Sequence, residues 1–364
     1  MTKEIPLHSE ESRVGLVLSG GGASGAYQAG VVKALAELDV QVHAVAGASA
    51  GALNGVVVSE ANGDLKQAAL ELEEVWTGLI GNSPIEWQPG KFVLGVGLPR
   101  ILDTAAKHPR FETDPRFAQA VAVAAALAAA LEKAGLLSLE LADAESLERM
   151  LDRGMKHLLR GEGLPLYVSI FESKDMMADL LAVGGKLLDL WDTPPSEFRH
   201  IQSLPPDERK ATILASAAVP IVLQARRLGS DDQRYVDGVM GGYRTRQGNT
   251  PAEPLVKQAG CTHLIVTHSS DGSPWRRDRF PDTTIIEVRP GRTMRRTEGL
   301  LGETLDMFNF SEDIRSWIEQ GYEDAMRCVG EVKRSLDLVG TAEQAREQRR
   351  KVVDALDNDG FRVD

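Results

Sequence analysis

Residues 42–57 constrain this chain more than any other stretch. The apolar run Val42-His43-Ala44-Val45-Ala46 passes through Gly47-Ala48-Ser49-Ala50-Gly51 into Ala52-Leu53-Asn54-Gly55-Val56-Val57. That is the order strand, tight turn, helix, and G-x-S-x-G at the turn is the pattern of a nucleophile elbow. A serine there is held in a strained conformation with its hydroxyl projecting. Gly47 and Gly51, two residues to either side, remove the Cβ atoms that would collide. The helix that follows turns its positive end toward the hydroxyl and favours a developing negative charge. Alone, the pattern also describes a plain small-residue turn packing a helix on a sheet.

A second signal lies upstream. Arg13-Val14-Gly15-Leu16-Val17-Leu18 reads as a buried strand and runs into Ser19-Gly20-Gly21-Gly22-Ala23-Ser24-Gly25, with helical periodicity over residues 26–35. A triple glycine between strand and helix exposes successive backbone N–H groups, a nest for anions. The same nest suits the oxyanion of a tetrahedral acyl intermediate. Gly20, Gly22 and Gly25 also spell G-x-G-x-x-G, so a dinucleotide site competes. That fingerprint wants a carboxylate at the end of the second strand. Here the strand ends in Ala46-Gly47, Asp39 precedes it, and Ser49 is left without a role. A glycine turn needed only for close helix–sheet packing is the third reading.

A serine nucleophile needs a proton acceptor. The α/β-hydrolase order is Ser, then Asp or Glu, then His, usually with several strands before the elbow, whereas Ser49 leaves room for one strand and helix before its own strand. Asp237-Gly238, at the end of Gln233-Arg234-Tyr235-Val236, offers a carboxylate at a strand end, although Asp-Gly is equally a hairpin-turn signal. His268 closes the apolar run of residues 262–267 and gives an alternative Ser49–His268–Asp237 triad. His43 reads as a core or edge histidine, and His8, His108, His157 and His200 as surface residues. No histidine pair has metal-ligand spacing backed by Cys or carboxylates, so neither zinc nor another cofactor is expected.

Together, Gly20-Gly21-Gly22-Ala23-Ser24-Gly25, Gly47-Ala48-Ser49-Ala50-Gly51, Ala215-Ser216-Ala217-Ala218-Val219-Pro220 and Asp237-Gly238 resemble the patatin-like phospholipase family over about residues 13–270. The resemblance implies a three-layer αβα fold with a mainly parallel central sheet and a helical insertion. It implies a Ser49–Asp237 dyad, without histidine, that cleaves acyl esters of lipids in the manner of a phospholipase A or lysophospholipase. It further implies an oxyanion hole from Gly20, Gly21, Gly22 and Ala23, supported by Gly25, Gly47, Gly51 and Gly238. Two positions depart from the family: Ser24 stands where Arg or Lys is usual, and Val239 where Gly or Ala is usual. The competing functions are a nucleotide- or dinucleotide-binding protein using residues 20–25, and a catalytically silent interaction module on the same fold.

Composition narrows the partners. A chain of 364 residues with 43% hydrophobic content can bury a large core, and a net charge of −12 argues against nucleic acid and anionic membranes as broad electrostatic partners. Cys261 and Cys328 make no disulfide framework and read as buried free thiols. Residues 1–11 lack an apolar signal region. The longest apolar run, residues 120–131, falls short of the ~20 residues that span a bilayer. The expectation is a cytoplasmic protein that meets its lipid ester peripherally, at the membrane surface.

The expected organisation is a catalytic domain over residues 1–340, with a helical lid or acyl-pocket insertion at about 78–160, and a charged helical tail over 341–364. Helices are expected at 65–76, 117–137, 147–159, 206–218 and 311–335, and strands at 164–171, 222–227, 226–236, 263–267 and 284–288. Residues 240–254 read as a loop bordering the substrate mouth. The clusters Arg276-Arg277-Asp278-Arg279 and Arg289-Pro290-Gly291-Arg292, with Arg295-Arg296, read as solvated surface or as a headgroup docking patch.

Overall fold

The computed structural model describes residues 12–82, 113–133, 145–174, 193–219, 225–229, 233–242, 244–270, 274–294 and 310–334. The chain runs β1 (Val14–Leu18), α1 (Ala26–Glu37), β2 (Ala44–Gly47), α2 (Ala50–Glu60), α3 (Leu65–Gly78), α4 (Pro115–Lys133) and α5 (Glu145–Gly154). It continues through β3 (Leu166–Ser173), β4 (Glu197–His200), α6 (Pro206–Ser216), β5 (Arg226–Leu228), β6 (Gln233–Asp237), α7 (Glu253–Lys257), β7 (His263–Thr267) and β8 (Thr284–Val288). A last helix, α8, covers residues 313–334.

The strands form one sheet in the order β5-β6-β3-β2-β1-β7-β8, with β4 also paired to β3. Strands β1, β2, β3, β7 and β8 are parallel. Strands β4 and β6 lie antiparallel to β3, and β5 lies antiparallel to β6. Alternation along the strands decides which side chain enters which core, because successive residues point to opposite faces. Leu16, Leu18, Val45, Leu166, Val168, Ile170 and Ile265 enter one core, against the helices of residues 26–78, α5, α6 and α8. Val17, Ala44, Ala46, Tyr167, Leu264 and Val266 enter the other, against α7 and the segment holding Trp275 and Phe280. A strand covered on both faces reads as an unbroken apolar run, which is why β1 and β2 are legible from residue type alone. The result is a mixed α/β fold with a mainly parallel sheet between two helical layers of unequal depth.

Sheet order reverses at β1: the chain adds β2 and β3 on one side, and β7 and β8 on the other. Ligands of open α/β sheets bind outside the carboxyl ends of the strands at such a reversal, and the glycine loop leaves β1 there.

Several boundaries differ from expectation. The helix expected at 206–218 stops at Ser216, so that residues 217–219 are free to run back toward the sheet. The strand expected at 222–227 begins at Arg226, and residues 220–224 lie outside the described ones. Residues 240–254 are not uniform loop: a 3-10 turn spans Gly238–Met240, and α7 opens at Glu253. The tail at 341–364 and the pair Arg295-Arg296 lie outside the described residues. Among the described residues no helix is long and apolar enough to cross a membrane.

Candidate active site

Ser49 sits between the end of β2 and the start of α2 with φ 54 and ψ −128. A non-glycine residue held there stores about 1–3 kcal/mol of strain. The surroundings over-determine it. The Ala48 amide donates to the Leu18 carbonyl (3.2 Å), and the Ala52 and Leu53 amides donate to the Ser49 carbonyl (2.9 and 3.3 Å). The Ser49 amide itself donates to Ser216 Oγ at 3.0 Å. The flanking glycines are required by close approach: a Cβ on Gly51 would lie 2.1 Å from the Leu18 carbonyl oxygen, and one on Gly47 2.3 Å from the Gly51 oxygen.

The glycine loop lies against this elbow. A Cβ on Gly20 would meet Ser49 Cβ at 3.0 Å and Asn249 Oδ1 at 2.7 Å. The Gly20 amide donates to the Asn249 carbonyl (3.1 Å). Gly20 is thereby removed from the donor set that the sequence suggests, and its contribution is close packing. Gly22 takes φ 59, and a 3-10 turn over Gly22–Gly25 leads into α1. Among the described residues the amides of Gly21, Gly22 and Ala23 meet no acceptor. These three remain as donors for an anion. Ser24, at a position that departs from the family, bends back on the loop: its hydroxyl donates to the Gly21 carbonyl at 2.7 Å.

Asp237 lies on the other side of β3 from the elbow strand. Gly47, two residues before Ser49, pairs with Val168 at the carboxyl end of β2. Asp237 pairs with Ile170. A second link is independent of register. Ser216 Oγ accepts from the Ser49 amide, and two residues later the Ala218 carbonyl accepts from the Asp237 amide at 3.0 Å. Two residues span at most about 7 Å, so one short segment holds the backbone of both side chains. Asp237 is fully buried (0%), and its Oδ1 accepts from the Val239 amide at 2.9 Å. Gly238 packs on β3, where a Cβ would lie 2.2 Å from Ser169 Oγ. Val239, the other departing residue, packs with Phe171, Val236 and Met240.

A cavity of about 240 Å³ adjoins Ser49 and Gly22. Its walls come from α2 (Leu53, Val57), α3 (Leu72, Val75, Trp76), α5 (Leu147, Met150, Leu151), Ala217, Val219 and Phe310. The carboxylate-bearing residues Glu71 and Glu74 also border it. Helix α5 belongs to the expected insertion and forms cavity wall, while residues 83–112 and 134–144 of that insertion lie outside the described ones.

The remaining candidate residues resolve differently, and each for a local reason. His268 is fully buried at the end of β7, with Nε2 3.1 Å from Glu287 Oε2 and its ring against Trp275. Burial pushes its pKa down, so the neutral ring donates Nε2–H to the carboxylate. The His268 bond and the Arg289 guanidinium hold Glu287 down to about 2. The ring's carboxylate partner is Glu287 on β8 and not Asp237, so the Ser49–His268–Asp237 triad lacks its His–Asp bond. His200 is not a surface residue: its ring stacks on Tyr167 (4.8 Å), and burial lowers its pKa. His157 is exposed beside Glu162 and Arg160. His43 Nδ1 accepts from the Val14 amide at 3.1 Å, fixing the entry to β2. Cys261 is buried, which pushes its thiol up to about 11, and Cys328 is half-buried.

The basic clusters are neutralised locally. Arg276 pairs with Asp278, Arg277 and Arg289 with Glu287, Arg279 with Glu253, and Arg292 with Glu323. This is the pattern of a solvated surface. Among the described residues no group of three His, Cys, Asp or Glu is arranged to hold a metal ion. Residue type and spacing do not identify Ser216 as the acceptor for the Ser49 amide, nor the buried polar pair Gln28 and Asn54. A signal for that pair exists: each is the lone amide of its helix, flanked by small and apolar residues.

Among known proteins, a family model described as patatin-like phospholipase matches residues 16–256, about two-thirds of the chain. VipD from Legionella pneumophila is a similar solved structure, with 15% identity over 89% of this chain and 67% of that one, at a TM-score of 0.42. The type III effector protein ExoU is another, with 16% identity over 96% and 67% of the two chains, at a TM-score of 0.29. No curated protein matches. The family match takes in the glycine loop, the elbow and the aspartate segment together, and this chain belongs to the patatin-like phospholipase family.

Proposed function

We propose that this protein is a serine acyl hydrolase that cleaves ester-linked fatty acids from lipids, of the phospholipase A or lysophospholipase kind, with Ser49 as nucleophile and Asp237 as base. The observation that carries the reading is the strained Ser49 at the edge of an apolar cavity, its backbone and that of the buried Asp237 both held by the short segment from Ser216 to Ala218. Family membership supports a lipid as the ester.

The chemistry follows from the positions. Ser49 Oγ attacks the ester carbonyl while Asp237 takes the hydroxyl proton. The carbonyl electron pair moves onto oxygen, where the N–H groups of Gly21, Gly22 and Ala23 and the N-terminus of α2 stabilise it. Collapse breaks the bond to the alcohol, which leaves with the proton from Asp237. Water then attacks the acyl-Ser49 ester with Asp237 again as base, releasing the fatty acid and restoring the serine. The apolar walls hold the acyl chain, each buried methylene contributing about 0.8 kcal/mol. Helix α5 acts as part of the acyl pocket.

Labelling by a fluorophosphonate is the direct test. The expected outcome is one adduct, at Ser49, together with hydrolysis of an acyl ester. Absence of both, with NAD or ATP protecting the chain from unfolding, favours the nucleotide-binding alternative instead. Absence of both without such protection leaves the silent interaction module.

Ser216 supplies a second test. Ser216→Ala removes the acceptor of the Ser49 amide and leaves a buried N–H unsatisfied, a cost of about 1–3 kcal/mol. The expected result is lower thermal stability and a kcat reduced about tenfold to a hundredfold through misplacement of the hydroxyl, with KM little changed. Steady-state kinetics at saturating ester check it.

A further inference from the structure

Behind the glycine loop runs a chain of buried amides that the catalytic reading does not use. Trp76 Nε1 donates to Asn54 Oδ1 (2.9 Å), and Asn54 Nδ2 donates to Gln28 Oε1 (2.8 Å) and to the Gly25 carbonyl (2.9 Å). Gln28 Nε2 donates to the Ser19 carbonyl at 2.6 Å. All three side chains are at most 5% exposed.

The direction of this chain is forced. The indole nitrogen can only donate, so the Asn54 atom facing it must be oxygen. That leaves the Asn54 amide nitrogen facing Gln28 and Gly25, so Gln28 presents its oxygen to Asn54 and its nitrogen to Ser19. The Gly25 and Ser19 carbonyls can only accept and require the same orientation, so the indole N–H and the two carbonyls agree on one direction for both amides. The chain ends on the carbonyls of Ser19 and Gly25, the two residues that bracket the loop of residues 20–24.

Trp76 has a second face. It borders the cavity beside Ser49, stacks on Phe310 at 6.4 Å, and packs on the loop, where a Cβ on Gly25 would lie 2.9 Å from Trp76 Cζ2. The wall that an acyl chain would touch thus also donates to the loop's supports.

We infer that Trp76, Asn54 and Gln28 are positioning residues: the relay from the Trp76 indole N–H pins both ends of the oxyanion loop and holds the Gly21, Gly22 and Ala23 amides on the reacting carbonyl. The inference rests on the hydrolase reading above. A loop pinned by directional bonds at both ends needs no rearrangement when negative charge develops, which is what makes such donors effective. A plain structural amide pair stabilises the fold without altering the balance between ground-state and transition-state binding, and that difference is measurable.

The test uses Trp76→Phe, which keeps an aromatic wall but removes the N–H together with part of the indole, alongside Asn54→Leu and the double variant in the full chain. For Trp76→Phe, kcat on an acyl ester is expected to fall about tenfold to a hundredfold with KM within about twofold. A trifluoromethyl ketone of the same chain, which forms an oxyanion on Ser49, is expected to bind more weakly by the same factor. The corresponding secondary alcohol, which forms none, binds as to the unaltered protein. The double variant is expected to be no worse than Asn54→Leu alone, because members of one series are not additive.

Full kcat in Trp76→Phe overturns the inference, as does equal weakening of ketone and alcohol. If Asn54→Leu fails to fold, Trp76→Phe alone decides. A wild-type chain that neither turns over ester nor labels at Ser49 overturns the hydrolase reading and this inference together. Wild-type turnover with unaffected variants overturns the inference alone.

Discussion

Ser49→Ala is expected to lower kcat for acyl esters by about four to six orders of magnitude, since loss of the nucleophile leaves only binding and the oxyanion donors. The fold should survive, because the Ser49 hydroxyl is not what holds the elbow. The elbow is held by backbone bonds of Ala48 to Leu18, of Ala52 and Leu53 to Ser49, and of the Ser49 amide to Ser216. Ser49→Gly sharpens the test. It abolishes turnover equally, but it also removes the cost of holding a side chain at φ 54. Relief of that strain outweighs glycine's greater chain entropy, and the variant is expected to be about 1 kcal/mol more stable in urea unfolding. Activity lost while stability rises is a combination that a merely structural serine does not produce. Near-normal turnover by Ser49→Ala would reject the assignment of the nucleophile.

Asp237→Asn carries the second large effect, a fall in kcat of about 10⁴, by analogy with removal of the acidic member of other serine hydrolase sites. The change is conservative in shape. Asn can still accept from the Val239 amide, and the β6 backbone bonds to Ala218 and Ile170 are untouched. Because a fully buried carboxylate is costly to hold ionised, stability is expected to stay level or rise. The fluorophosphonate labelling rate at Ser49 should fall with kcat. Retention of the rate by Asp237→Asn would place the base elsewhere.

The local parts of the site are legible in residue type and spacing. Gly47 and Gly51 frame Ser49 because backbone atoms of Gly51 and Leu18 fill the space their Cβ atoms would need, and such close approach leaves glycine as its record in any sequence. Buried parallel strands are legible as unbroken apolar runs, α2 as a largely apolar segment of helical length, and α3 as an amphipathic one. Gly20 reads as a donor in the loop sequence but is not one, since its partner, the Asn249 carbonyl, lies more than 200 residues away in the chain and nothing in the loop announces it. His200 misleads for a similar reason: its polar neighbours in sequence suggest surface, while its neighbour in space is the Tyr167 ring.

By itself, then, the sequence determined what depends on near neighbours: the strand–turn–helix elbow at Ser49, the donor-rich turn after β1, and the unbroken apolar runs that build a sheet covered on both faces. Backbone sterics and side-chain periodicity act over a few residues, so their consequences are written in consecutive letters. Tertiary structure alone decided what depends on meeting across the sheet. The pairing of β3 with both β2 and β6 puts the elbow strand and the aspartate strand on either side of one neighbour, Ser216 and Ala218 hold the backbones of Ser49 and Asp237 from one short segment, and the Trp76–Asn54–Gln28 relay joins three helices behind the loop. Those contacts are fixed by packing between elements distant in the chain, and no local propensity encodes the distance between them.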